Sequence, residues 1–139
     1  MTSMTPEERD AFLRETRIAS LVTLNEHGGP VVVPVWFEWD GQAARVFTGK
    51  GSAKMRRLER DARVALSVHE PVGVKEAWVT IEGTASAEPG DPMPLIRRLT
   101  GRYYDEERAR VTLKEWEAGA ANWVVLRVEP RRIRSLSPS

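Results

Sequence analysis

No cysteine occurs among the 139 residues, which excludes disulfides, thiolate zinc sites and a cysteine nucleophile and suits a reducing compartment. Histidine is nearly as scarce. His27 falls in turn sequence and His69 ends a strand-like run, with no H-E-x-x-H spacing to bring a second ligand alongside, so no metal centre is expected. A G-x-S-x-G elbow is also missing, and with it an evident hydrolase nucleophile. No apolar run approaches the length of a membrane span, and the first residues have no apolar core behind a basic start. A soluble, cytoplasmic protein without a membrane partner is expected. The formal charge of +1, from 21 basic and 20 acidic side chains, supplies no overall field toward nucleic acid. By size, residues 1–139 form one domain, able to bury roughly two-thirds of the surface its unfolded chain exposes.

What is present is patterned. Thr5-Pro6-Glu7-Glu8 is a capping box with proline at the first helical position, and predicts a short helix to about Arg17. Ile18 to Leu24 reads as a strand, Asn25 to Gly29 as turn chemistry, and Pro30 to Trp39 as a second strand. Along that strand Val35, Phe37 and Trp39 share one face and Pro34, Trp36 and Glu38 the other. Asp40-Gly41 predicts a tight turn that pairs it with a third strand, Ala43 to Thr48. After a helix opening at Ser52, strands are predicted over Arg63 to His69 and Ala77 to Ala87. Two helices follow, from Asp91-Pro92 with Ile96, Leu99 and Tyr103 on one stripe, and over Glu106 to Ala118. A sixth strand, Asn122 to Val128, ends before Pro130 and a basic tail. The fold class is mostly β or α+β: a six-stranded Greek-key barrel with peripheral helices.

The segment from Phe47 to Leu58 carries the most chemistry. A strand ends in Gly49-Lys50-Gly51 and a helix opens on Ser52 with Lys54 in its first turn. Helix N-termini present unpaired N–H groups and partial positive charge, so these donors, the Ser52 hydroxyl and the Lys54 ammonium can converge on a phosphate. Ordinary helix capping by Ser52 explains the same residues. The order Lys50-Gly51-Ser52 is not that of a P-loop. Lys50, Lys54, Arg56, Arg57, Arg60 and Arg63 crowd one stretch, which suits either a solvated helix face or an anion's landing site. Glu7/Glu8 and Glu106/Glu107 stand at helix starts, where capping accounts for them. An anion site and aromatic strands without reactive side chains suggest that a bound cofactor carries the reaction.

Taken together, Arg17 to Leu24, Gly29 to Phe37, Thr48, Gly51-Ser52-Ala53-Lys54 with Leu58, and Asp61 to Leu66 resemble the pyridoxine 5′-phosphate oxidase-like split β-barrels that bind flavin or deazaflavin. The resemblance spans nearly the whole chain. It implies FMN or the deazaflavin coenzyme F-420 as cofactor, with Thr48, Ser52 and Lys54 on the phosphate and Val33, Pro34, Val35, Trp36 and Phe37 along the ring. Lys50, the Gly51 backbone and Arg57 complete the expected site. Arg57 stands where many relatives have Asn, and with Lys50, Arg56 and Arg60 it offers extra positive charge for the acidic tail of F-420. The implied activity is hydride transfer to or from a small conjugated molecule, with no catalytic side chain assigned. The alternative is a non-catalytic flavin- or tetrapyrrole-binding barrel that sequesters its ligand. A homodimer with cofactor sites at the subunit boundary is also implied. The many large aromatics, Trp36, Phe37, Trp78 and Trp123, agree with it, and Trp123 is placed near the boundary.

Overall fold

The computed structural model describes residues 2–138. Helix α1 (Pro6–Arg14) begins at Thr5, whose side chain accepts from the Glu8 N–H while the Glu8 carboxylate accepts from the Thr5 N–H, the full capping box. Strands β1 (Ala19–Leu24), β2 (Pro30–Val35), β3 (Glu38–Trp39) and β4 (Ala44–Gly49) follow, then α2 (Ala53–Arg60), β5 (Arg63–His69) and β6 (Trp78–Glu88). Helices α3 (Met93–Tyr103) and α4 (Glu106–Ala118) form a hairpin before β7 (Trp123–Leu136).

All seven strands lie in one antiparallel sheet in the order β2-β1-β5-β6-β7-β4-β3. The two edge strands, β2 and β3, are separated in the chain only by Trp36 and Phe37. The three Cα steps from Val35 to Glu38 span at most about 10 Å, so the sheet must curl until its edges approach. No ladder joins those edges among the described residues, and the result is a split barrel. Inside it lie Leu21, Phe37, Val46, Leu66, Val68, Val79, Ile81 and Val128, all fully buried.

Two expectations need correction. The continuous strand Pro30 to Trp39 breaks at Trp36-Phe37, which makes seven strands of six. Its first half pairs with β1, Val33 against Leu21, and only Glu38 and Trp39 pair with β4. Pro30 and Pro34 have no N–H to give a neighbour, a deficit tolerated at a sheet edge. The face alternation nevertheless survives the break, since Val35, Phe37 and Trp39 are all buried. The last strand also runs past Val128 to Leu136 instead of ending at Pro130. A bulge at Glu82/Gly83 takes up the proline: Glu82 faces Arg132 and Gly83 faces Pro130, so Arg131 is an extra residue on β7.

An ion cluster fastens the β3–β4 turn to the end of β6. Arg45 bridges Asp40 and Glu88, its Nε 2.9 Å from the Glu88 carboxylate. Burial alone would raise the Asp40 pKa, but hydrogen bonds from the Ala43 N–H, the Arg45 guanidinium and the Gln42 N–H lower it from 3.8 to about 2. A carboxylate depressed in this way stabilises the fold above its unfolded pKa and loses that contribution as pH falls from 3.8 to about 2. Solvent screening holds the effect to roughly 1 kcal/mol or less. Thermal unfolding across that window should show a steeper acid loss in the parent protein than in Arg45→Met.

Candidate functional site

Strand β4 turns Ala44, Val46 and Thr48 into the barrel and Phe47 outward, then ends in Gly49. The chain is held there by the Lys50 N–H on the Asn122 carbonyl, 2.8 Å, and the Ser52 N–H on the Gly49 carbonyl, 3.1 Å. Ser52 is extended and caps α2, its Oγ accepting from the Met55 N–H at 3.2 Å. The buried Thr48 hydroxyl donates to the same oxygen at 3.1 Å. Ser52 thus performs the capping role for the Met55 N–H, at a helix end whose other first-turn N–H groups lack intrahelical partners.

Two residues on, in the first turn of α2, Lys54 enters a groove of about 400 Å³ whose other walls are Ile18, Pro34, Val35, Trp36, Phe47, Tyr104 and Trp116. Lys54 is the one charged residue in that lining. Among the described residues nothing hydrogen-bonds or ion-pairs with its ammonium. Burial lowers its pKa below the ordinary lysine value, and the positive charge of Arg57 adds to the effect. A cation held in this way favours an incoming anion.

The aromatic wall is assembled from five parts of the chain: the β2–β3 crossover, β4, the end of α3, α4 and the start of β7. Trp36 stacks on Tyr103, centroids 5.0 Å apart and planes within 3°, and meets the edge of Tyr104 at 4.8 Å. Phe47 packs against Trp116 and Trp123 at 5.5 and 5.7 Å. The Tyr103 hydroxyl donates to the Arg17 carbonyl at 2.6 Å and accepts from the Phe37 N–H at 3.4 Å, and this fixes the β2–β3 crossover. Burial raises the Tyr103 pKa, so the phenol stays protonated as that donor.

The structure brings Pro34, Val35, Trp36 and Lys54 together around the groove, with Thr48 and Ser52 at the foot of α2 just behind Lys54. Other expected residues lie elsewhere. Phe37 is fully buried in the core and offers no surface to a ligand, and Val33 packs against the same core. Lys50 is exposed and lines a separate cleft with Glu88, Asp91 and Trp123. Gly51 is exposed, its carbonyl accepting from Arg56 at 2.8 Å. Arg57 bends toward β1 and donates through Nε to the buried Thr23 hydroxyl at 2.7 Å, so it acts on Lys54 only through its charge. Ile18, Phe47, Tyr104 and Trp116 were not expected at the site. The outward phase of Phe47 on β4 was a readable signal. Trp116 follows a helical stripe that serves a core equally well, and Tyr104 arrives only through the packing of the α3–α4 hairpin.

Residues 5–137 match the family described as pyridoxamine 5′-phosphate oxidase. A curated relative, the F-420H(2)-dependent biliverdin reductase of Mycobacterium tuberculosis, is 31% identical over 109 residues, covering 77% of this chain and 75% of that protein. A conserved hypothetical protein of Mycobacterium tuberculosis superposes with a TM-score of 0.75 at 25% identity, over 97% of this chain and 86% of the other. A solved F-420 reductase shares the fold with a TM-score of 0.69 at 22% identity, over 94% and 96% of the two chains. Curled sheet, split edges and peripheral helices define a pyridoxamine 5′-phosphate oxidase-like split β-barrel. The chain belongs to the pyridoxamine 5′-phosphate oxidase family.

Proposed function

We propose that this protein is an oxidoreductase that uses coenzyme F-420 or FMN, its phosphate docked at the N-terminus of α2 and its ring laid along Pro34 to Trp36. The observation that carries the reading is Lys54, a half-buried cation without a counter-charge in a groove otherwise aromatic and apolar. The residues fit such a group: a charged amine with helix N–H donors at one end, and flat apolar surface at the other. The likeness to an F-420H(2)-dependent reductase supports the deazaflavin. When bound, such a cofactor supplies hydride to a conjugated acceptor.

The chain's own residues hold and shield. The Lys54 ammonium neutralises phosphate charge, Ser52 and the first turn of α2 donate hydrogen bonds, and Trp36, Tyr104 and Trp116 keep water from one side of the groove. Burial and Arg57 lower the pKa of free Lys54, and an anion bound against it raises that pKa again, so binding takes up a proton at pH values near and above the free pKa. Affinity should therefore weaken as pH rises through the pKa of free Lys54, with net proton uptake on binding. Titration calorimetry in two buffers of different ionisation enthalpy reads that uptake.

A homodimer belongs to the same proposal, with a second copy closing the groove's mouth. Its support is not a surplus of large aromatics: Phe37 is core, and Trp36 and Trp123 pack within the chain's own ring cluster. Apolar exposure beside the groove is the better support, since Ile18 is 50% and Val32 60% exposed. Ile18→Asp with Val32→Asp should shift sedimentation toward monomer and weaken cofactor binding. A dimer unchanged by both would place the contact elsewhere.

One observation favours a second reading, a non-catalytic flavin- or tetrapyrrole-binding barrel: the groove holds no paired acid and base. Anaerobic mixing of reduced F-420 or FMN with quinones, enones and nitroaromatics, with and without protein, separates the two. Acceleration over free cofactor supports the oxidoreductase; none across the panel supports the binding barrel.

A further inference from the structure

A further concavity, about 560 Å³, lies at the other end of β1 from the Lys54 groove. Val22, Leu24, Val64 and Ala65 give it an apolar floor, Arg63, Glu82 and Thr84 complete its wall, and Arg131 and Arg132 stand on its rim. Successive residues of a regular strand point to opposite faces, so two adjacent arginines lining one hollow require an explanation. The bulge supplies it. Arg131 is the residue inserted on β7 between the Glu82–Arg132 and Gly83–Pro130 pairs, and such an insertion re-aims the side chains beside it. The arrangement needs a glycine, because a Cβ at position 83 would sit 2.0 Å from the Glu129 carbonyl oxygen.

Neighbouring arginines have acids of their own. Arg63 pairs with Asp61, Arg127 with Glu129, and Arg134 with Glu82. Among the described residues the Arg131 and Arg132 side chains have neither ion pair nor hydrogen bond. Two like charges stand together on the rim while the carboxylate in the wall, Glu82, is taken by Arg134, so an anion between Arg131 and Arg132 relieves their repulsion. We infer that the bulge groove is a binding site for a small amphipathic dianion, an apolar body carrying two acidic groups, the body on Val22, Leu24 and Ala65 and the acids on Arg131 and Arg132. Guanidinium groups suit this task because each can grip a carboxylate, sulfonate or phosphate with two parallel hydrogen bonds. The inference does not depend on the cofactor reading, since no residue is shared between the two sites.

The test uses bis-anilinonaphthalene disulfonate, a dye with two sulfonates on an apolar ring system, titrated by fluorescence into the full-length protein. Arg131→Ala/Arg132→Ala should weaken binding at this site by about a hundredfold, the loss of two charge-assisted contacts. Both side chains are exposed, so the fold should survive, as circular dichroism checks. Lys54→Ala and the exposed Arg60→Ala should leave this component unchanged. Equal dye affinity in parent and double-alanine proteins would overturn the inference, as would loss of the dye in Lys54→Ala alone. A change of oligomeric state in the double variant with dye affinity intact would overturn it in favour of a contact between copies.

Discussion

Gly83→Ala should destabilise the protein by about 3 kcal/mol or more, at or beyond the upper end of what overpacking usually costs. The added methyl carbon would lie 2.0 Å from the Glu129 oxygen, 2.9 Å from its carbonyl carbon and 3.2 Å from the Pro130 Cα. All three are backbone atoms, and they belong to the central β6–β7 pair that runs from Trp78–Leu136 to Glu88–Val125. No side chain can rotate away to make room, so the strands must part or the bulge must move. A melting temperature lower by roughly 10 °C is expected for a chain of this size. Gly101→Ala is the control: its Cβ would meet nothing within 4 Å on α3, and alanine there should add about 0.5–1 kcal/mol of helix stability. Equal melting temperatures for the two variants would show that the bulge is not held as described.

Lys54→Ala should weaken cofactor binding tenfold to a hundredfold, roughly the worth of one charge-assisted hydrogen bond at about 1.5–3 kcal/mol. Stability should be unchanged or slightly raised, because the side chain contributes no pairing in the free protein and its burial disfavours the charge. That combination distinguishes a binding lysine from a structural one. Ser52→Ala is less informative, since it also removes the cap on the Met55 N–H and about 1 kcal/mol of helix stability. Phe37→Ala serves as the opposite case. It should lose about 3–5 kcal/mol of stability, because Phe37 is fully buried.

Local chemistry made much of this architecture legible. The Thr5–Glu8 box, the Asp40-Gly41 turn and the Ser52 cap each satisfy backbone groups within a few residues, so the sequence alone displays them. The break in the second strand was hidden because burial alternates without interruption from Val35 to Trp39. Only the pairing partners change there, from β1 to β4, and partners are non-local. Pro130 was misleading for a related reason: proline does argue against a central strand, except at a bulge, and the bulge is a property of Gly83 on the neighbouring strand. At the site, Lys54 follows from its place in the first turn after Ser52 and the Pro34–Trp36 wall from the family resemblance, whereas Tyr104 and Trp116 depend on where the α3–α4 hairpin packs. The turn of Arg57 toward Thr23 likewise depends on a contact 34 residues away in the chain.

Direct titration of the purified protein with F-420, and separately with FMN, followed by tryptophan fluorescence, tests the central claim most directly. Trp36 and Trp116 line the groove, so a ring stacked along it must perturb them. The structure predicts saturable quenching by at least one of the two cofactors, weakened tenfold to a hundredfold in Lys54→Ala and competed by free phosphate. Quenching by neither cofactor, or equal affinity with and without the Lys54 ammonium, would contradict the account.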